Sequence, residues 1–218
     1  MPEQLRVEIN EYQSVTANLY PASRRDRAGV TLILGHGAGA TLNSKLLVDV
    51  GDALIDQGIA VVRFNFPYTE AGRKAPDPAK RLEACWRAVA ETVAREVPRP
   101  FIGGKSMGGR IASHIAAQGF DATGLVFLGY PLHPPGKPEK IRDAHLGDIA
   151  APMLWLQGTR DPFATPDLLH STVTRLGDRA TLIEIEGGDH SFKVPGRGPK
   201  DVTAELIDHI ATFIDKNL

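Results

Sequence analysis

The chain has 218 residues, 42% of them hydrophobic and 23% charged, with a formal net charge of −1. That length and balance suit one globular domain spanning 1–218, and they exclude a disordered or fibrous chain. A near-zero charge leaves no basic footprint for nucleic acid, and no run nears the ~18 apolar residues of a membrane-spanning helix. The polar start MPEQLRVEINEYQS has no signal-peptide core, so a cytoplasmic location is expected. A lone cysteine rules out an intrachain disulfide.

Leu5–Ile9 and Val15–Leu19 read as an antiparallel hairpin at a sheet edge. From residue 30 onward, short apolar, β-branched runs alternate with helical patterns. The strands are expected at Val30–Leu34, Ile59–Phe64, Pro100–Gly103, Gly124–Leu128, Met153–Gln157 and Thr181–Ile185. The first helix presents Leu46, Leu47, Val50, Ala53 and Leu54, with Asn43 or Ser44 as N-cap and Gly58 as its stop. A second helix runs from about Ala79 to Val97, ended by Pro98. On it Cys85 shares a stripe with Leu82, Trp86, Val89 and Val93, which makes it a packing thiol. A third helix begins at Ser106, a fourth covers Pro166–Leu176, and the last runs from about Pro199 with Leu206, Ile207, Ile210, Phe213 and Ile214 on one face. Regular β-α-β alternation predicts an α/β fold with a mainly parallel sheet between helical layers. Two Pro- and Gly-rich connections, Pro67–Pro78 and Pro131–Ala151, lack periodicity, and loops of that length are usually functional.

After the third of these six strands comes Gly104-Lys105-Ser106-Met107-Gly108, a G-x-S-x-G match. A serine at such a strand-to-helix turn is held in a strained conformation that projects its Oγ, and the flanking glycines let the turn close. The helix that follows offers free N–H groups to a developing oxyanion. Gly104-Lys105-Ser106 also mimics the end of a phosphate-binding loop, but that motif requires glycine where Arg99 stands.

Partners for the serine follow in order. Gly158-Thr159-Arg160-Asp161 turns off the strand 153–157, and Gly187-Gly188-Asp189-His190 follows the strand 181–185. Both sit at carboxyl ends of strands, where open α/β sheets build their sites. Asp161 is expected to orient His190, which takes the serine proton. Asp189 adjoins the histidine and suits a turn role instead. Among the other histidines, His114 and His209 read as structural, His145 and His170 as surface positions, and His133 as a loop residue that lines the cleft or stays structural.

Upstream, Val30–Leu34 runs into Gly35-His36-Gly37-Ala38-Gly39-Ala40. A His-Gly turn here suits an oxyanion loop, with the N–H groups of Ala38 and Met107 as donors, Gly39 as the fallback, and His36 bracing the turn. The same segment fits G-x-G-x-x-A, a dinucleotide fingerprint. Arg63-Phe64-Asn65-Phe66 then lacks the ribose-binding acid but suits a 2′-phosphate, so an NADP-binding oxidoreductase is the competing reading. It leaves Ser106, Asp161 and His190 without a role.

Taken together, GHGAGA, RFNFPY, GGKSMGGR, LQGTRD and GGDHSF resemble the small dienelactone-hydrolase-like α/β-hydrolases, nearest to the testis-expressed and chromatin-complex-associated branch and its bacterial relatives. The resemblance runs from about residue 15 to near the end. It implies Ser106, Asp161 and His190 as a triad, with Met107 and Ala38 around the oxyanion. It also implies an α/β-hydrolase fold, with no stretch long enough for a large cap. Dienelactone hydrolases carry cysteine at the elbow where this chain has Ser106, which argues against dienelactone itself as substrate. Acyl hydrolysis of a small ester or thioester follows, needing neither metal nor organic cofactor. Since some relatives serve as subunits of larger assemblies, a non-catalytic interaction module is the other class. Arg63, Lys74, Lys105, Arg110 and Arg160 lie near strand ends or mouth loops. They read first as a solvated basic rim, and otherwise as a pull on an anionic substrate.

Overall fold

A computed structural model describes residues 2–23, 29–97 and 99–218. Eight strands form one sheet: β1 (Glu3–Asn10), β2 (Gln13–Tyr20), β3 (Thr31–Gly35), β4 (Ala60–Phe64), β5 (Phe101–Lys105), β6 (Leu125–Leu128), β7 (Met153–Gly158) and β8 (Ala180–Ile185). Their spatial order is β1-β2-β4-β3-β5-β6-β7-β8. The β1–β2 and β2–β4 pairs are antiparallel, and the remaining pairs are parallel. The expected edge hairpin is present, and each later strand falls within a residue or two of its expected limits.

Among the described residues, six α-helices flank the sheet: α1 (Lys45–Asp56), α2 (Pro67–Glu70), α3 (Ala79–Ala94), α4 (Met107–Ala117), α5 (Pro166–Leu176) and α6 (Pro199–Lys216). Alternation along the strands explains the layers, because neighbouring side chains point to opposite faces. Leu32, Leu34, Val126, Leu128, Leu154 and Leu156 pack with Leu47, Val50 and Leu54 of α1 and Leu206 and Ile210 of α6. Ile33, Phe127, Met153 and Trp155 face the other way, against Trp86 of α3, Ile111 of α4 and Leu169 of α5. Both faces of β3, β6 and β7 are buried throughout. Cys85 is buried in the second of these cores. The thiol is pushed far above its usual range by that burial.

Helix boundaries follow local chemistry. Ser44 occupies the N-cap of α1, and Gly58 has φ +87° just beyond the helix end. Pro98, the expected stop of α3, lies outside the described residues. The Pro67–Pro78 connection is not wholly irregular: α2 opens with Pro67 at its first turn and buries Tyr68. The Pro131–Ala151 connection holds a 3-10 turn at Ala144–Asp148 that buries Leu146. Four residues escape periodicity-based reading in the first case, because a single turn has no period to detect.

Candidate active site

Ser106 caps α4 directly after β5, with φ 52° and ψ −116°. A positive φ costs a non-glycine residue about 1–3 kcal/mol, so the surroundings must impose it. They do so by close packing. An ideal Cβ on Gly104 would lie 2.1 Å from the Gly35 carbonyl oxygen, and one on Gly108 equally close to the same atom. Only glycine at both positions lets the turn press against β3. The Ser106 N–H donates to Leu128 O at 3.1 Å, and its carbonyl accepts from Arg110 N–H at 3.0 Å. The hydroxyl is thereby aimed into the cleft above the sheet.

The structure brings Ser106, His190 and Asp161 into one hydrogen-bonded line, although 84 residues separate serine from histidine. Ser106 Oγ lies 2.9 Å from His190 Nε2, and His190 Nδ1 lies 2.6 Å from Asp161 Oδ2. An ionised Asp161 only accepts, so Nδ1–H donates to it and Nε2 is left to accept from the serine. Asp161 is 4% exposed and its oxygens are satisfied from two further sides. Gln157 Nε2 donates to Oδ2 at 2.6 Å, and Phe163 N–H donates to Oδ1 at 2.8 Å. The Phe163 ring rests 4.3 Å from the imidazole and holds it in orientation. Gln157 and Phe163 escaped notice in the sequence because one reads as a strand end and the other as a turn. Asp189 serves the turn, accepting from Ser191 N–H at 2.7 Å and Lys193 N–H at 2.9 Å.

The two residues expected to supply oxyanion donors border the same cavity as the serine. Ala38, Ser106 and Met107 line one cavity of about 240 Å³. The fallback donor is committed elsewhere, since Gly39 N–H donates to Tyr68 Oη at 3.2 Å. His36 is fully buried below this loop. Its Nδ1–H donates to Gly37 O at 2.8 Å, and its Nε2 accepts from Phe66 N–H at 3.3 Å. Burial holds the imidazole below its usual range, so it braces the loop as a neutral ring.

Other histidines sort by their contacts. His133 is buried and does not line the cleft: Nδ1–H donates to Pro134 O at 2.9 Å, and Nε2 accepts from Thr165 N–H at 2.9 Å. It therefore pins the 131–151 connection to the start of α5. His145, a surface position by its sequence setting, is half-buried. Its Nε2 lies 2.8 Å from Ser113 Oγ and its ring 4.4 Å from that of His114. Burial, reinforced by the charge of Arg110, lowers its pKa to about 4. His170 is exposed and contacts Glu184 at 3.1 Å.

The basic residues separate as well. Arg63 is 3% exposed, with its guanidinium 4.2 Å over the Tyr20 ring, so it presents nothing to a nucleotide phosphate. Lys105 Nζ is sealed without a hydrogen-bond partner, 5.6 Å from the Phe192 ring centroid. Burial pulls its pKa down to about 8, against the opposing pull of Asp161 and Asp189. Lys74 and Arg160 are exposed outside the cavity wall, and Arg110 lines it. Arg142 and Asp77, which sequence alone did not single out, also form that wall. Among the described residues, no three His, Cys, Asp or Glu side chains converge as metal ligands.

Residues 28–216 match the family model of the alpha/beta hydrolase domain. The chain belongs to that family. Its fold also matches solved structures along nearly the whole length. An α/β serine hydrolase without lid from Xanthomonas campestris superposes with a TM-score of 0.75 at 22% identity, covering 97% of this chain and 94% of that one. A dienelactone hydrolase from Anabaena variabilis gives 0.75 at 18% identity, with coverages of 100% and 98%. An α/β serine hydrolase homologue from Coxiella burnetii gives 0.73 at 18%, with coverages of 99% and 97%. At these identities the likeness is one of fold. Among the described residues this alpha/beta hydrolase has no inserted cap domain, and its cleft is walled by the 67–78 and 131–151 connections and the first turns of α3 and α4. Among the described residues no helix is long and apolar enough to cross a membrane.

Proposed function

We propose that this chain is a serine hydrolase that cleaves ester or thioester bonds in small substrates. The hydrogen-bonded line from Ser106 through His190 to Asp161, at a strained elbow facing a cavity, carries the reading. Ser106 Oγ attacks the acyl carbonyl while His190 Nε2 takes its proton. Asp161 keeps the imidazole in the productive tautomer and stabilises its cation. The backbone N–H groups of Met107 and Ala38 receive the oxyanion, a contribution worth about 3–4 kcal/mol per donor in comparable sites. The His190 proton then goes to the leaving oxygen or sulfur. Water, deprotonated by the same imidazole, releases the acid from Ser106. The residues need no cofactor for this sequence of steps. Similarity to solved proteins described as serine hydrolases and a dienelactone hydrolase supports the choice of hydrolysis. Placement in the testis-expressed and chromatin-complex-associated branch rests on sequence motifs and belongs to the same proposal.

Fluorophosphonate labelling tests it. Ser106 should be modified stoichiometrically, with labelling absent in Ser106→Ala, whose ester hydrolysis should fall by at least about 10⁴-fold. A folded wild-type protein that stays unlabelled would overturn the enzyme reading in favour of an interaction module. Tight NADPH binding would revive the dinucleotide reading.

A further inference from the structure

The cavity beside Ser106 has an uneven charge. Its wall includes Arg110, from the first turns of α4, and Arg142, from the 131–151 connection. Among the described residues, neither guanidinium has a carboxylate within the 4.0 Å of an ion pair. Arg110 spends one N–H on His114 Nε2 at 3.2 Å, and His114 passes the contact on to Glu83 at 2.7 Å. This relay orients the guanidinium and leaves its other donors free. Burial is the main cause holding the Arg110 pKa below its ordinary value, and the nearby charge of Arg142 acts in the same direction. Two like charges thus share a half-buried space with no carboxylate in ion-pair contact, Glu83 acting on Arg110 only at longer range beyond His114.

The single carboxylate in the wall does not cancel them. Asp77 Oδ1 is already held by Arg73 at 2.7 Å and Arg81 at 3.4 Å, so that corner is itself net positive. The remaining lining is apolar or backbone: Pro76, Ala79, Leu82, Pro131 and Phe163. At about 240 Å³ the space falls below the ~300–1,000 Å³ of drug-sized sites, which restricts the occupant to a short group.

We propose that Arg110 and Arg142 form an anion subsite that selects substrates bearing a carboxylate on a short acyl chain. This deepens the hydrolase reading and rests on it for the position of the scissile bond. A planar carboxylate offers two oxygens to two guanidinium forks, which gives register as well as attraction. Anchored there, the acyl chain would set its ester carbonyl beside Ser106 Oγ, converting remote binding into orientation. Of the basic residues near strand ends, only Arg110 takes part, and Arg142 joins it from a loop more than 30 residues away.

The test compares monomethyl glutarate, methyl pentanoate and methyl 4-aminobutanoate, with hydrolysis followed by proton release. At low ionic strength, kcat/KM for the glutarate half-ester should exceed that for the pentanoate by about tenfold or more. Added salt should shrink the ratio. Arg142→Gln should lower the half-ester rate about tenfold more than the neutral-ester rate, at an unchanged thermal midpoint. Equal rates for anionic and neutral esters, or a preference for the cationic ester through Asp77, overturn the subsite. With Ser106 still labelled by fluorophosphonate, that outcome leaves the hydrolase reading intact. If no ester is cleaved and Ser106 is not labelled, titration of Ser106→Ala with monomethyl glutarate and methyl pentanoate decides the subsite alone. Binding at least about tenfold tighter for the half-ester, lost in Arg142→Gln, upholds it; equal binding removes it.

Discussion

Lys105→Met replaces a buried, unpartnered amine by an apolar chain of similar length. Lys105 Nζ lies in the same confined space as the Asp161–His190 contact. An ideal Cβ on Gly129 would be 2.9 Å from that nitrogen and 3.5 Å from both Asp161 Oδ2 and His190 Nδ1. The drop from 10.5 to about 8 already includes the help of Asp161 and Asp189. At 1.36 kcal/mol per unit, keeping the ammonium in place costs about 3 kcal/mol at neutral pH. A cation–π contribution from Phe192 returns only ~0.5–1 kcal/mol. Lys105→Met should therefore stabilise the fold by about 2–3 kcal/mol at pH 7, and raise the thermal midpoint by roughly 4–10 °C for a chain of this length. The gain depends on pH in a definite direction. Below pH 8 the native and unfolded chains both hold the proton and the penalty is complete. Between about 8 and 10.5 the unfolded chain binds a proton that the native protein has released, so wild-type stability rises with pH. The gap between variant and wild type should shrink across that window. Urea unfolding at pH 7 and pH 10, read by circular dichroism, measures both. A variant no more stable than wild type at pH 7, or a gap that stays constant to pH 10, would refute the reasoning.

Further outcomes follow from the same geometry. Asp161→Asn keeps an acceptor for Phe163 N–H but loses the charge that holds the His190 tautomer, so kcat on a simple ester should drop about 10³–10⁴-fold with little change in the thermal midpoint. Gly108→Ala puts a Cβ 2.1 Å from Gly35 O and 2.3 Å from Gly35 C, backbone atoms with no rotamer to yield. It should cost more than about 3 kcal/mol and abolish soluble expression or labelling. Gly119→Ala meets no atom within 4 Å, though φ is +89°, and should cost only about 1–2 kcal/mol in denaturant unfolding. His145 ionises at about 4 in the native protein against an ordinary 6.5. As pH falls from 6.5 to 4 the unfolded chain takes up a proton first, so stability should be lost, by about 3 kcal/mol from the full shift and about 2 kcal/mol once solvent screening of this half-buried ring is allowed for, and His145→Gln should flatten that loss in acid unfolding curves.

Much of this molecule can be read from its residue order because the information is local. Strands covered on both faces must be apolar throughout, so β3, β6 and β7 announce themselves within a residue or two. The elbow is equally local: glycines at 104 and 108 flank Ser106 because a tight turn has no room for a Cβ. Asp161 and His190 stand at strand ends, which alternation of strands and helices brings to one edge of a parallel sheet. Side-chain encounters across long sequence separations carry no such signature. Arg142 sits in an irregular stretch, and only the return of the 131–151 connection over α4 sets it beside Arg110. His145 looked exposed because a 3-10 turn has no burial period, yet packing against Ser113 and His114 dehydrates it. Arg63 and Lys105 share the chemistry of a basic rim but not its place, since tertiary packing buries the first on β4 against the Tyr20 ring and the second beside the Asp161–His190 pair. The sequence by itself determined the strand–helix order, the elbow and the residues that can carry proton transfer, because backbone sterics and burial periodicity act within a few residues. Which charges face the cavity was decided only by the folded chain, because a charge's environment is the sum of neighbours that the fold alone brings within reach.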